Sequence, residues 1–178
     1  MKEIIINNKI FQQHISKEEL DNIVSDLANK INVSNTEKPL FIAVLNGSFL
    51  FAADIMRRIT IPNAEISFIK LSSYEGMKSS GEIRKLIGID SNISGRNIIL
   101  LEDIVDSGNT LEKIIELLSQ EQVISIKVAT LLFKPEAYKK DIHIDYIGKS
   151  IENDFVVGYG LDYDEIGRNL PHIYKLKN

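Results

Sequence analysis

Residues 98–111 read Ile-Ile-Leu-Leu-Glu-Asp-Ile-Val-Asp-Ser-Gly-Asn-Thr-Leu. The four apolar residues at the head of this run show no alternation. That is the pattern of a strand buried on both faces, which belongs to parallel sheets covered by helices. Two adjacent carboxylates, Glu102 and Asp103, follow at once. A third, Asp106, precedes Ser107-Gly108-Asn109-Thr110, and a helix-like run continues from Leu111 to Leu118. A strand that ends in acids, then a turn of small residues, then a new helix N-terminus can hold hydroxyls and a phosphate side by side.

The flanking sequence supplies the partners such a strand needs. Residues 1–15 mix β-branched and polar side chains and read as a strand or an extended arm. Ser16-Lys17-Glu18-Glu19 matches a capping box, and Leu20, Ile23, Val24, Leu27 and Ile31 follow at helical spacing. Leu40 to Leu45 is a second buried strand, and Asn46-Gly47-Ser48 turns it into a helix through Phe51, Ile55 and Ile59. Ala64 to Leu71 is a further strand, residues 72–84 form a long loop, and Arg84 to Ile89 returns as a short hairpin strand. Val123 to Phe133 reads as a strand stopped by Lys134-Pro135, and Ile144 to Ile151 as another. Phe155 to Asp162 is a strand-like run, and residues 163–178 close the chain. The strand–helix–strand alternation over residues 40–133 predicts an α/β fold with a parallel sheet and right-handed crossovers. Ligands of such sheets sit beyond the carboxyl ends of the strands, where Asn46-Gly47-Ser48 and Glu102-Asp103 both fall.

Composition narrows the partners. A chain of 178 residues with 44% hydrophobic and 26% charged residues suits one globular domain. The net charge of −4 and the lack of a dense Lys/Arg block give no electrostatic footprint for nucleic acid. Cysteine is absent, which excludes disulfides, thiolate catalysis and cysteine-ligated zinc and fits a reducing compartment. No apolar segment approaches the ~18 residues of a membrane span, and the N-terminal apolar run is too short for a signal peptide. A cytoplasmic location without membrane association is the expectation. The histidines His14, His143 and His172 lack metal-ligand spacing.

The chemistry of the central stretch can be read from its residue types. Gly108 lets the backbone approach a monophosphate, and Ser107 and Thr110 add hydroxyl donors. Carboxylates would repel that phosphate. They suit a vicinal diol, whose hydroxyls donate, or a bridging Mg²⁺. Phosphate beside diol describes a ribose 5-phosphate. The competing reading is a helix capped by Thr110 after an acidic surface turn, but three acids in five positions are more than such a turn needs. No Gly-x4-Gly-Lys-Ser/Thr phosphate loop is present.

The run Leu100 to Thr110 closely resembles the phosphoribosyl-pyrophosphate motif of the type I phosphoribosyltransferases. The likeness is sharpest with the hypoxanthine-guanine branch and extends from about residue 40 onward. The resemblance implies a parallel-sheet core over about 36–135, with a small hood from about 136–178 to which residues 1–15 contribute, all within one domain. It implies that Glu102 and Asp103 hold the ribose hydroxyls, that Asp106 accepts a proton at purine N7, and that residues 106–110 (Asp106, Ser107, Gly108, Asn109, Thr110) surround the 5′-phosphate. As a carboxylate of pKa about 3.9, Asp106 would act late and mainly through its charge.

The shorter motifs occur in the family's order. Leu45-Asn46-Gly47-Ser48 is similar to its pyrophosphate loop, where a cis peptide bond before position 46 is usual; Asn46 stands where a lysine is common. Ser73-Tyr74 resembles the lid that excludes water from the reaction centre. Lys134 resembles the lysine that reads the purine 6-oxo group, and Phe155-Val156 the stacking aromatic and the reader of the 2-position edge. Asp162 resembles a base-side carboxylate that holds a Mg²⁺, with Glu102 and Asp103 on the ribose side, and Arg168 a pyrophosphate contact. Taken singly, a strand-end lysine is a solvated charge, a strand aromatic is core, and an exposed acid or arginine is surface.

The implied activity is transfer of phosphoribosyl from phosphoribosyl pyrophosphate to hypoxanthine and guanine, with Mg²⁺, by a homodimer or homotetramer that binds no nucleic acid. Two rivals share parts of the pattern. A regulator on the same fold would sense the sugar pyrophosphate and bind nucleic acid, but the acidic balance and the set Lys134, Phe155 and Asp162 favour the enzyme. A phosphoacceptor domain would use the acids as a Mg²⁺ pocket, but it leaves the phosphate-shaped turn unexplained.

Overall fold

Five residues in a row, Leu40 to Val44, are buried and form β3 (Leu40–Val44), which can only lie inside a sheet covered on both faces. The computed structural model describes residues 2–72, 84–87 and 93–177, with the backbone alone at 72 and 84–87. Beside β3 run β4 (Glu65–Ser72) and β6 (Asn97–Val105), both parallel to it. Next come β7 (Ser125–Phe133) and β8 (Tyr146–Ser150), also parallel, while β5 (Arg84–Ile87) pairs antiparallel with β4 at the edge. The order is β5-β4-β3-β6-β7-β8, so β3 and β6 are central and the sheet reads as expected from residues 98–101.

Helices cover both faces. The helix α1 (Lys17–Asn32) begins at Ser16, whose hydroxyl accepts the Glu19 N–H at 3.1 Å. The return half of the capping box is not made: the Glu19 carboxylate instead reaches Lys149 on β8 at 2.8 Å. Leu20, Val24, Leu27 and Ile31 pack with α2 (Phe49–Met56) against Phe41, Ala43, Ile99 and Leu101. On the other face α3 (Asn109–Ser119) sets Leu111, Ile114 and Leu118 on Leu40, Ile42, Ile98 and Leu100. Ile98 to Leu101 are all fully buried, and each such side chain contributes about 1.5–3 kcal/mol by transfer from water.

A second sheet is antiparallel, in the order β1-β2-β10-β9: β1 (Glu3–Ile6), β2 (Lys9–Ile15), β10 (Ile173–Leu176) and β9 (Val156–Val157). Ile6, Phe11, Val157 and Tyr174 form its own small core. Both chain ends therefore meet, and the arm 1–15 is two strands of a hairpin.

Several boundaries differ from those read in the sequence. The strand-like run Phe155 to Asp162 yields only Val156–Val157, because Gly158, Tyr159 and Gly160 all take positive φ and turn the chain. Residues 163–178 contain the strand β10, whose short apolar signal is hidden among polar residues. The division expected near residue 135 does not match the sheets, since β8 extends the core sheet alongside β7. The second helix stops at Met56 rather than Ile59. No helix among the described residues is long and apolar enough to cross a membrane.

Candidate active site

The strands β3 and β6 are neighbours and parallel, so their carboxyl ends open on the same rim. There a cavity of about 240 Å³ is lined by Val44, Leu45, Gly47 and every residue from Glu102 to Leu111. Two sequence-distant loops thus share one hollow. The Leu45–Asn46 peptide bond is cis, as the family likeness implies. Asp103 lies directly on Gly47: a Cβ at that glycine would stand 1.7 Å from the Asp103 Oδ2. Any side chain at Gly47 would therefore have to displace the Asp103 carboxylate. Gly160, at φ +100°, closes the same corner, since its Cβ would stand 2.0 Å from the Gly47 carbonyl oxygen. Ser48 is a correction to the expected loop. It is fully buried, its hydroxyl donates to the Val44 carbonyl at 2.6 Å, and it shapes the turn without facing the cavity.

The acids also differ from the reading in which they follow the strand. β6 continues to Val105 because β7 pairs beside it as far as Phe133 and the Lys134 N–H donates to the Val105 carbonyl at 3.0 Å. In a continuing strand successive side chains leave opposite faces. Glu102 goes inward, only 5% exposed, while Asp103 turns to Gly47. Burial and then the neighbouring Asp103 charge push the Glu102 carboxyl well above its ordinary range. Burial likewise pushes Asp103 up to about 6, against the pull of backbone N–H groups and Arg168. Carboxylates held in this way call for hydroxyl donors or a cation.

The turn 106–108 leads into α3 through Gly108, which takes φ +83° as the N-cap. No side chain caps this helix, and the side chains of Ser107, Asn109 and Thr110 make no hydrogen bond among the described residues. The capping reading of Thr110 is thereby overturned, because the helix starts one residue before it. What remains is an uncapped helix N-terminus whose first residues and preceding turn line the cavity, an arrangement that suits an anion. Tyr138 and Lys140 wall this turn: a Cβ on Gly108 would stand 2.6 Å from the Tyr138 ring and 2.8 Å from the Lys140 chain. Lys140 is held by Glu112 at 2.6 Å. Sequence reasoning passed over both residues, which carry no motif.

Lys134, at the end of β7 and 7% exposed, pairs with the half-exposed Asp106 at 3.0 Å. Two residues singled out separately in the sequence thus form one ion pair, of which Asp106 lines the cavity. Phe155 lies in the hood, 46% exposed, with Tyr163 edge-on at 5.6 Å and Phe11 at 6.3 Å. Val156 is buried in β9. No ring contact or hydrogen bond among the described residues joins Phe155 or Val156 to the Lys134–Asp106 pair. Asp162 pairs with Arg168 at 2.8 Å and accepts the Glu165 N–H at 2.9 Å. Arg168 also meets Glu165 at 3.0 Å and donates to the Gly160 carbonyl at 2.9 Å, so its guanidinium is engaged within the hood. Glu102, Asp103 and Asp162 do not converge on a ready-made metal site; among the described residues no three acids or histidines do. Ser73 and Tyr74 lie outside the described residues.

Comparison with known proteins gives the family of the chain. The family model described as "Phosphoribosyl transferase domain" matches residues 15–164. A hypoxanthine-guanine phosphoribosyltransferase of Staphylococcus epidermidis is 41% identical over 165 residues, covering 92% of each chain. That of Staphylococcus aureus is 38% identical over 174 residues, covering 97% of each. The crystal structure of a hypoxanthine-guanine phosphoribosyltransferase from Bacillus anthracis, with HEPES in its active site, superimposes with a TM-score of 0.85 at 41% identity. It covers 96% of this chain and 99% of that one.

Proposed function

The chain belongs to the phosphoribosyl transferase family, among the hypoxanthine-guanine phosphoribosyltransferases, and on that footing we infer a purine-salvage reaction. It transfers the 5-phosphoribosyl group of phosphoribosyl pyrophosphate to hypoxanthine or guanine and releases the nucleotide and pyrophosphate. The observation that carries this reading is the pairing of Lys134 with Asp106, a residue that lines the cavity. A 6-oxopurine presents O6 and N7 side by side on one edge. Lys134 donates to O6, and Asp106 accepts from a proton at N7. Adenine presents an amino group where O6 would be, which meets the lysine donor to donor.

The remaining residues suit the donor. Glu102 and Asp103 accept from the 2′ and 3′ hydroxyls, and the turn Ser107 to Thr110 with the α3 N-terminus takes the 5′-phosphate. Purine N9 forms a bond to the anomeric carbon as the bond to the pyrophosphate oxygen breaks, and the oxygen leaves with the electron pair. The proton lost by the base passes to Asp106 and on to solvent. A carboxylate at this place also offsets the oxocarbenium charge that develops on the sugar. Leu45, Asn46 and Gly47 border the leaving group, and Phe155 and Val156 belong to the base side. Arg168 reaches pyrophosphate by exchanging a carboxylate partner for it.

Mg²⁺ fits this donor set. Glu102 and Asp103 are hard oxygen ligands whose charge is poorly compensated, and Mg²⁺ is commonly held by one or two carboxylates with substrate oxygens completing its shell. Because Glu102, Asp103 and Asp162 do not converge by themselves, they would hold it singly or in part, with substrate oxygens supplying the rest of the shell. When bound, the ion neutralises charge on the pyrophosphate. The lack of cysteine supports a cytoplasmic enzyme, and the exposed Phe49, Ile66 and Phe68 support a homodimer or homotetramer. The test offers hypoxanthine, guanine, xanthine and adenine separately with phosphoribosyl pyrophosphate and Mg²⁺. Turnover of 6-oxopurines with little of adenine is expected; no turnover of any purine would sink the reading.

A further inference from the structure

We propose that Lys70, seated on Asn46, supplies the positive charge of the pyrophosphate loop in this protein. The inference rests on the reaction given above and concerns a residue on a neighbouring strand, outside the loop itself. Lys70 lies near the end of β4, beside the start of the loop, where the Leu45 N–H donates to the Ile69 carbonyl at 2.9 Å. Its ammonium donates to the Asn46 Oδ1 at 3.1 Å. The β4–β5 ladder has a register irregularity between Lys70 and Leu71, a feature that bends a strand and re-aims its side chains.

Three properties set Lys70 apart from the other cations around the site. First, its partner is neutral. Lys134 is matched by Asp106, Lys140 by Glu112, and Arg168 by Asp162 and Glu165, whereas no carboxylate among the described residues pairs with Lys70. Second, an ammonium has three donors, and Asn46 takes one. Third, Asn46 sits between Leu45 and Gly47, both of which line the cavity, and Asp103 presses on Gly47. A pyrophosphate group brought to this corner adds several negative charges next to three carboxylates, Glu102, Asp103 and Asp162. A half-buried cation held on the side chain of the residue between Leu45 and Gly47 acts on such charges at reduced dielectric screening. Asn46, where relatives commonly carry a lysine, then serves a different purpose, because its amide oxygen anchors the ammonium that another strand delivers.

The test is steady-state kinetics on the full chain with Lys70→Met, Lys70→Gln and Lys70→Arg. The Gln variant retains a donor for Asn46 without the charge, and it stands in if the Met variant does not fold. Both neutral variants are expected to raise KM for phosphoribosyl pyrophosphate by about 10-fold, with KM for hypoxanthine changed less than about 2-fold. The rise should shrink as salt is added. Lys70→Arg should restore most of the loss, as should Asn46→Lys added to Lys70→Met. Equal effects on both KM values, or a neutral variant with unchanged KM and only a lower melting temperature, would overturn the proposal. Should the wild-type chain turn over no purine, the reaction itself fails. Calorimetric titration of wild type and Lys70→Gln with Mg²⁺-pyrophosphate then decides the role of Lys70 separately: equal affinities would reject it, and weaker binding by the variant would uphold it.

Discussion

At the scale of single residues, the carboxylates of the cavity divide their work by environment. Asp106 is half exposed and held by Lys134, whereas Asp103 is packed onto Gly47 and Glu102 is enclosed. If Asp106 is the acceptor at N7 as proposed, its replacement by alanine should lower kcat for hypoxanthine about 10–10³-fold in a steady-state assay. An unchanged kcat would remove Asp106 from the chemistry. Asp103 allows a prediction about pH. Its folded pKa of about 6 lies above the ordinary 3.8, so between these values the folded state holds a proton that the unfolded state has lost. The stability this group contributes is present below about pH 4 and is lost as pH rises through 6. In Mg²⁺-free, ligand-free buffer, the melting temperature of Asp103→Asn should therefore gain on wild type from pH 4 to 7, while its activity falls. Parallel melting curves would contradict the assigned environment. Stability is given up at this residue for a site that a sugar or a cation completes.

At the scale of elements, the site consists of two strand-to-turn junctions and a third turn that presses on them. The third, 158–160, is decided by glycine: Gly160 takes φ +100° with the Gly47 carbonyl at its open side. An alanine there is strained, and its methyl group would meet backbone 2.0 Å away, so the pyrophosphate loop must move. Gly160→Ala is expected to raise KM for phosphoribosyl pyrophosphate at least several-fold, with a smaller change for the purine. Equal changes in both would indicate general misfolding, to be checked by circular dichroism. The α3 N-terminus differs, because no side chain caps it.

At the scale of the molecule, two sheets are fastened so that the hood faces the strand ends. The Lys17 N–H donates to the His172 Nδ1 at 2.8 Å, and the Tyr159 hydroxyl donates to the Asp54 Oδ2 on α2 at 2.6 Å. Burial and the Asp54 carboxylate both push the Tyr159 hydroxyl upward, so it stays protonated and donates at any ordinary pH. Tyr159→Phe removes this bond, but Asp54 keeps Arg57 at 2.8 Å, so the expected loss is about 1–2 kcal/mol. That corresponds to a melting temperature lower by roughly 2–8 °C, measurable by calorimetry. No change would mean that the Tyr159–Asp54 bond adds nothing to how the hood is held.

How much of this is legible in the sequence differs from residue to residue. Ile98 to Leu101, Leu40 to Val44 and the Ser16 cap show their state in local pattern, since burial on both faces and capping are short-range demands. The acids and small residues of 102–110 likewise show in their chemistry and spacing the pattern from which a ribose-phosphate site is proposed. The length of β6 could not be read, because a neighbouring strand supplies the hydrogen bonds that extend it through the acids. Phe155 to Asp162 read as a strand because the apolar count outweighed two glycines whose φ values the tertiary contacts require. By itself, then, the sequence determined the parallel α/β core and the strand-turn-helix junction at 98–118, and it offered part of the set of candidate residues. Only the tertiary structure decided which of them meet: Asp106 with Lys134, Gly47 with Asp103 and Gly160, Asn46 with Lys70, Arg168 with Asp162. The physical reason is that spacing along a chain encodes one element's face, whereas a site is made where several elements end together, and that is set by packing and by which charges burial leaves without compensation.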